Sequence, residues 1–188
     1  MAVGAKIDVT RRLFTVDEYV RMWEDGIFGP EERLELIEGE ILQMSPAGDR
    51  HIAFVVNLTH LLVQAVGDRA RVSPQNAVRI PPYSAPEPDF AVVRPRSYVH
   101  ESLTAADVLL VVEVADTSLR YDRTTKLRIY ARAGIAEYWI VDANAEAIDV
   151  HSSPTEDGYG EHRRLGRGDR IAPRALPDAV IDVAAIFV

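Results

Sequence analysis

The spacing of apolar residues along the chain predicts three helices. Apolar side chains recur every three or four positions in each of them, and the segments are 15–24, 51–66 and 124–133. Thr15 followed by Glu18 has the pattern of a capping box, which supports the start of the first helix. We expect Asp122 or Thr124 to cap the third helix, and Gly134 to follow its end.

Shorter apolar runs between these helices predict strands. A hairpin is expected over 34–44, because Glu38 and Gly39 separate two short apolar stretches and glycine readily adopts a positive φ. The clearest strands are 71–80, 89–94, 108–115 and 138–142, and weaker ones are 147–151, 161–165 and 171–173. The last apolar segment, 180–187, fits a strand or a short helix. This mixture of elements predicts an α+β protein.

Length and composition indicate one folded domain over residues 1–188. A chain of 188 residues can form a single hydrophobic core, and 47% apolar with 27% charged residues is typical of globular proteins. Because the chain has no cysteine, disulfides and thiolate zinc sites are excluded, which fits a reducing cytoplasm. The N-terminal residues lack a signal-peptide core and no apolar stretch is long enough to cross a bilayer, so we expect a cytoplasmic protein with no membrane association.

The net charge of −8 argues against binding a long duplex by general phosphate neutralisation. Such binding depends on Lys and Arg side chains that displace counterions from the nucleic acid. A local basic rim can still coexist with an acidic chain, and the segment before and within the third helix supplies one: Arg120, Arg123, Lys126, Arg128 and Arg132.

Two carboxylates lie on consecutive predicted strands. Glu113 interrupts a strand that is apolar on both faces, and Asp89 opens the preceding strand directly after Pro88. Antiparallel pairing of these strands would place the carboxylates side by side, where a divalent cation such as Mg²⁺ or Mn²⁺ would relieve their repulsion. Lys126 follows closely enough to fold back and stabilise charge on a phosphate. The arrangement predicts metal-assisted phosphodiester hydrolysis, with Asp89 and Glu113 as metal ligands.

Each of these residues also has an ordinary structural interpretation. Glu113 could be a buried glutamate paired with an arginine such as Arg128, because buried charges are usually paired. Asp89 alone fits a strand start after a proline, and Lys126 alone fits a solvated helix residue. Only the joint placement of Asp89, Glu113 and Lys126 favours a catalytic site.

A longer pattern resembles a known family. Pro88-Asp89, then Glu113 and a later lysine, resembles the signature of the PD-(D/E)XK nuclease superfamily. The string EVADTSLRYDRTTKLRIYARAGIAEYWIVD is similar to the Uma-two family of bacterial endonucleases within it, and LELIEGEILQMSP followed by His51 resembles that family's N-terminal segment. The resemblance implies a restriction endonuclease-like mixed central sheet flanked by helices, with an N-terminal helix and hairpin. It also implies a metal-dependent endonuclease that acts on nucleic acid, with DNA as the expected substrate.

The chain departs from the superfamily signature at two positions. The signature places its lysine two residues after the glutamate, where this chain has Ala115, so Lys126 takes that role by resemblance. Asp116 stands where the family commonly has serine, and it adds negative charge near the site.

Three further residues are candidates for the same site. Glu35 resembles the family's additional N-terminal acidic residue, which completes the metal shell, and an exposed hairpin glutamate is the alternative. His51 opens the second helix and could approach a phosphate or remain solvated. Asp122 is interpreted first as a helix cap and second as a site member.

Two functions from different classes follow. The first is a Mg²⁺-dependent endonuclease, favoured by the retention of all three chemical groups. The second is a nucleic-acid-binding or regulatory module that keeps the fold without cleavage, favoured by the acidic net charge and the displaced lysine. We also expect a homodimer, because Tyr138, Trp139 and the segment 181–188 supply more apolar surface than one small sheet is expected to bury.

Overall fold

The computed structural model describes residues 10–188, and its largest feature is a six-stranded mixed sheet preceded by a helix and a hairpin. The helices are α1 (Val16–Glu24), α2 (Asp49–Val66), α3 (Leu119–Tyr121) and α4 (Leu127–Arg132), with a π-helical turn (Asp122–Lys126) between the last two. The strands are β1 (Leu34–Ile37), β2 (Glu40–Gln43), β3 (Arg71–Pro74), β4 (Phe90–Val93), β5 (Val108–Ala115), β6 (Glu137–Asp142), β7 (Ala147–Thr155), β8 (Gly158–Leu165), β9 (Arg170–Ile171) and β10 (Ile181–Asp182). Short 3₁₀ helices cover Gly67–Arg69, Ala105–Asp107 and Val183–Phe187.

The central sheet has the strand order β3, β4, β5, β6, β7, β8. Strands β5 and β6 pair in parallel. The other neighbouring strands are antiparallel. On β4 and β5, Phe90 is the partner of Val112, so the residue before Phe90 lies beside the residue after Val112. These two residues are Asp89 and Glu113, and the antiparallel pairing expected from the sequence is confirmed.

Apolar layers cover both faces of the sheet. On one face, α2 contributes residues such as Leu58, which pack in a core with Val112. On the other face, Tyr130 of α4 packs in a second core with Val111. Because alternate residues of a strand point to opposite faces, Glu113 faces α4 together with Val111. The side chain of Glu113 therefore lies between the sheet and α4.

The third predicted helix begins earlier than expected. The backbone is already helical from Leu119, and the N–H of Asp122 donates to the carbonyl oxygen of Ser118 at 3.1 Å. The Ser118 hydroxyl donates to the Asp122 carboxylate at 2.5 Å. Asp122 therefore lies inside the helical segment, and its interpretation as an N-cap is wrong. The π turn aligns the buried side chains of Asp122 and Lys126 toward the sheet.

Several strand boundaries also differ from the predictions. The strand expected over 71–80 ends at Pro74, because the following residues form only isolated bridges next to a proline-rich loop. The weak segments 147–151 and 161–165 lengthen into the hairpin of β7 and β8. The segment 180–187 contains both alternatives: β10 pairs with β9, and a 3₁₀ helix follows it.

The apolar residues that motivated the homodimer are buried within one chain. Tyr138 and Trp139 have no exposed surface, and Val183, Ile186 and Phe187 pack into the core beside α2. The sheet buries more apolar surface than the sequence suggested, because helices cover both faces. The homodimer remains a prediction, but this argument for it is wrong. Within residues 10–188, no helix is both long and apolar enough to span a membrane.

Candidate active site

The two predicted carboxylates meet where β4 begins and β5 ends. The backbone N–H of Val114 donates to Asp89 Oδ2 at 2.8 Å, and the N–H of Asp89 donates to Glu113 Oε2 at 3.3 Å. Each carboxylate is thus held by the backbone of the neighbouring strand. Asp89 and Glu113 are 8% and 4% exposed, so both acids have largely lost contact with water.

Lys126 lies beside Glu113 in this buried cluster. Its Nζ is 2.9 Å from Glu113 Oε1 and 3.4 Å from Glu35 Oε2, and the residue is 6% exposed. The interpretation of Lys126 as a solvated helix residue is wrong, because the π turn points it toward the sheet. Pairing of Glu113 with Arg128 is also wrong, since Lys126 fills that role and Arg128 is exposed.

Tyr130 is a site residue that the sequence analysis missed. Its hydroxyl donates to Glu113 Oε1 at 2.8 Å, and the ring is fully buried against Tyr138. The sequence showed Tyr130 only as part of the apolar helix face. The available signal was its position four residues after Lys126, which places both on the same side of the helix.

Glu35 reaches the site from the hairpin. It is 4% exposed, and its Oε1 accepts a hydrogen bond from the Tyr121 hydroxyl at 3.3 Å. Its Oε2 lies near Lys126 and accepts from the backbone N–H of Glu87 at 3.4 Å. The alternative of an exposed hairpin glutamate is therefore wrong.

His51 at the start of α2 connects two groups of the site. Its Nε2 is 3.0 Å from Asp89 Oδ1 and its Nδ1 is 2.9 Å from the carbonyl oxygen of Val114. The hydrogen bond to Asp89 raises the pKa of His51, although partial burial opposes this effect. Because both neighbours are acceptors, an imidazolium that donates from both nitrogens fits the geometry. His51 is half-buried, so the solvated alternative is wrong.

Asp122 is the fourth buried acid of this cluster, and it forms no hydrogen bond with Asp89 or Glu113. Burial raises its pKa to about 6, while Lys126 and the Ser118 hydroxyl act in the opposite direction. Its backbone carbonyl oxygen accepts from the Tyr138 hydroxyl at 3.2 Å. Asp122 therefore adds negative charge to the wall of the site while its backbone anchors the π turn.

Negative charge exceeds positive charge in this cluster. Burial raises the pKa of Glu113 to about 8; Lys126 acts against this shift, and the nearby Asp122 and Asp89 add to it. Burial disfavours the charged form of Lys126, but the carboxylates of Glu113, Glu35 and Asp122 raise its pKa well above the usual value. One ammonium and the His51 imidazolium cannot neutralise four buried acids, so the cluster favours an additional cation.

The donor set suits a hard cation that keeps part of its water shell. Among residues 10–188, no group of three or more His, Asp and Glu side chains is arranged to hold a metal ion. The carboxylates of Asp89 and Glu113, held side by side on adjacent strands, remain as oxygen donors. Mg²⁺ commonly binds through one or two carboxylates and retains several waters. The residues present therefore fit Mg²⁺ or Mn²⁺.

Glu35, His51 and the Asp89, Glu113, Asp122 and Lys126 side chains line a cleft of about 560 Å³. The lining includes the segment 42–48, which is the end of β2 and its connection to α2, and residues around Ser118 and Tyr121. Asp116 also lines the cleft, and its Oδ1 lies 3.7 Å from Arg50 Nη1. The departure at Asp116 thus does place an extra acid at the site, partly compensated by Arg50.

The fold belongs to a class with solved members. A structure from Anabaena variabilis ATCC 29413, described as a "putative nuclease belonging to DUF820", aligns with a TM-score of 0.72 and 15% identity, covering 93% of this chain and 97% of that chain. An identity this low establishes the fold alone, which is a restriction endonuclease-like mixed central sheet flanked by helices, with an N-terminal helix and hairpin. A search of curated proteins found no match.

The family follows from a second comparison. The family model Uma2, described as "Putative restriction endonuclease", matches residues 16–184. The chain therefore belongs to the Uma2 family, which is the Uma-two family that its sequence resembles.

Proposed function

We propose that this protein is a Mg²⁺- or Mn²⁺-dependent endonuclease that hydrolyses phosphodiester bonds of nucleic acid, with DNA as its first candidate substrate. The observation that supports this proposal most directly is the position of Asp89 and Glu113 on adjacent strands, with Lys126 in hydrogen-bond contact with Glu113. Membership of a family described as "Putative restriction endonuclease" agrees with it.

Asp89 and Glu113 would hold the cation through their carboxylate oxygens. When bound, a divalent ion in such a site polarises the phosphate and lowers the pKa of a water molecule. Tyr130 and Lys126 fix the orientation of Glu113, and His51 does the same for Asp89. Lys126 presents its ammonium to the cleft, where it can donate a hydrogen bond to a phosphate oxygen as negative charge develops.

The alternative is a module that binds nucleic acid without cutting it. It is favoured by the engagement of Lys126 with both Glu113 and Glu35, since a lysine held by two carboxylates is less available to a phosphate. The same site would then bind a cation and a nucleic acid strand without turnover.

Circular substrates separate the two functions. We expect purified protein with Mn²⁺ to nick supercoiled plasmid or linearise circular single-stranded DNA, and EDTA to stop the reaction. Asp89→Asn should lose both cleavage and Mn²⁺ binding measured by calorimetry. Asp17→Asn is the matched control, because Asp17 is exposed on α1. Binding of Mn²⁺ and of nucleic acid without any product would support the module, and absence of Mn²⁺ binding would contradict the metal site.

Two finer expectations belong to the same proposal. A cytoplasmic location rests on the absence of cysteine. A homodimer is the second expectation, and light scattering of the purified protein at micromolar concentration tests it.

A further inference from the structure

We infer that the cleft admits single-stranded or unpaired nucleic acid and excludes intact duplex. This inference rests on the proposed function, because it names the substrate class of the same site. It is carried by the depth and size of the cleft, by the charge of its lining, and by an aromatic side chain beside Lys126.

The first argument is the depth of the reactive groups. The side chains of Lys126 and Glu113 are 7% and 5% exposed, so a phosphate must enter the cleft to contact them. The cleft volume of about 560 Å³ lies in the range of pockets that enclose a small ligand, which is enough for a nucleotide or two. A duplex is stiff over tens of base pairs, so a paired phosphate cannot enter without its neighbours. A single strand can bend one phosphate into the cleft.

The second argument is the charge of the lining. Six carboxylates line the cleft, against Arg33, Lys126 and His51 as basic groups: Glu35, Glu87, Asp89, Glu113, Asp116 and Asp122. A duplex has one phosphate charge per ~1.7 Å of axis, and a single strand has about half that density. A bound divalent cation offsets only part of this repulsion, so the acidic lining penalises the duplex more than the single strand.

The third argument is Tyr121, which lines the cleft and is half-buried. Lys126 Nζ lies 5.8 Å from the centre of the Tyr121 ring, and the Tyr121 hydroxyl is fixed by Glu35. Proteins that bind single strands commonly stack unpaired bases on aromatic rings beside basic groups. A base next to the phosphate at Lys126 is therefore within reach of this ring, whereas a paired base is not available for stacking.

The test compares matched oligonucleotides in Ca²⁺, which replaces the reactive cation. Fluorescence anisotropy would measure the affinity of the full-length protein for a labelled 15-nucleotide DNA strand, the same sequence as RNA, and the corresponding DNA duplex. We expect a single strand to bind at least roughly tenfold more tightly than the duplex, and the DNA and RNA arms identify which polymer is preferred. Equal or tighter binding of the duplex, or no binding of either single strand, would overturn the inference.

A cleavage assay distinguishes failure of this inference from failure of the proposed function. The substrate is a DNA hairpin with a single-stranded 3′ arm, incubated with Mn²⁺. Cuts confined to the arm support the inference, and cuts within the paired stem contradict it. If the single-strand preference in binding holds but no cuts occur, the endonuclease proposal fails and the inference stands.

Tyr121 provides a variant test. Tyr121→Ala should weaken single-strand binding by roughly tenfold and leave duplex binding unchanged, because a stacking surface is lost. Tyr121→Phe keeps the ring and should retain the affinity, and Tyr83→Ala is a control at an exposed tyrosine outside the cleft. Thermal melting of each variant checks the fold. An equal loss in Tyr121→Phe and Tyr121→Ala would assign the effect to the Glu35 hydrogen bond and contradict stacking.

Discussion

Two charged clusters in this protein contain buried acids but differ in the balance of acids and bases. The active-site cluster consists of Glu35, Asp89, Glu113, Asp122 and Lys126. The arginine cluster consists of Asp142 and Asp149 with Arg123 and Arg164, and joins β6, β7 and β8 to the π turn. In the arginine cluster, Arg164 contacts Asp149 at 2.7 Å and Asp142 at 2.9 Å, and Arg123 adds a contact to Asp149.

The pKa values express this difference. Burial alone would raise the pKa of Asp142 and Asp149, but the guanidinium groups of Arg123 and Arg164 lower both below the usual value. In the active-site cluster burial dominates, and the pKa of Glu113 rises to about 8. Two acids matched by two bases form a structural ion-pair network. Acids in excess of bases leave a place for a cation, and this excess distinguishes the candidate site from the network beside it.

The strongest test of this contrast is Glu113→Gln. Because the change removes one of the two carboxylates proposed to bind the metal, we expect Mn²⁺ binding and cleavage to fall below detection. Thermal stability should be unchanged or higher, because removing one acid reduces the repulsion among the remaining buried carboxylates. Calorimetry and thermal melting measure both effects. Unchanged Mn²⁺ affinity would remove Glu113 from the metal site.

Lys126→Ala should reduce turnover while metal binding persists. Removal of one group that stabilises transition-state charge lowers rates by roughly 10²–10³-fold in other enzymes. Because Lys126 is buried between carboxylates, we also expect a lower melting temperature, in contrast to a solvated lysine. Nicking rates and Mn²⁺ affinity should be measured on the same preparation. Lost Mn²⁺ affinity would mean that Lys126 serves the architecture of the site, and equal nicking would exclude it from the mechanism.

Tyr130→Phe should have a smaller effect on the same site. Groups that orient a metal ligand typically contribute roughly 10–100-fold to affinity or activity, and Tyr130 holds Glu113 through one hydroxyl. We expect Mn²⁺ affinity to fall within that range with the fold intact. Tyr159→Phe is a control, because its hydroxyl donates to the Ile135 carbonyl oxygen outside the cleft. An unchanged affinity would reduce Tyr130 to a packing role.

The smallest effect is expected from the arginine cluster. Asp149→Asn should lower the free energy of unfolding by about 1–2 kcal/mol, less than the ~3–5 kcal/mol of a fully buried pair, because both arginines keep 39% exposure. Cleavage should not change. A lower cleavage rate under conditions where Asp149→Asn remains folded would show that this cluster takes part in catalysis.

The same variant has a defined pH dependence. The folded-state pKa of Asp149 is lowered, so its stabilisation is present above the unfolded pKa of about 4 and is lost as pH falls through the folded value. Urea melts between pH 6 and pH 3 should therefore show a smaller loss of stability in Asp149→Asn than in the wild type. Parallel curves would contradict the ion-pair assignment.

The parts of the fold that local pattern determines were predictable from the sequence. The strand 108–115 has the predicted bounds, because a run of apolar residues broken only by Glu113 in the centre of a sheet permits few alternatives. The pairing of Asp89 beside Glu113 followed from the tendency of consecutive strands to be neighbours. The predicted metal role of these residues remains a proposal.

The burial and the contacts of the site residues on the helical segment could not be predicted from the sequence pattern. Burial of Lys126 and Asp122 depends on a π turn, which alters the helical period, and apolar periodicity does not reveal such a turn. Glu35 reaches Lys126 because Leu36 bridges to Ala85 across a large sequence separation. Tyr130 looked like any apolar helix residue, since its hydroxyl finds a partner only when the sheet is in place.

The reciprocal hydrogen bonds between β4 and β5 determine when the site forms during folding. Asp89 is held by the amide of Val114, and Glu113 by the amide of Asp89, so the two acids converge only when both strands are in register. A slip of one residue would turn one acid to the opposite face of the sheet. A nascent or misfolded chain therefore lacks the paired carboxylates, so the proposed nuclease activity would arise only when synthesis and folding are complete.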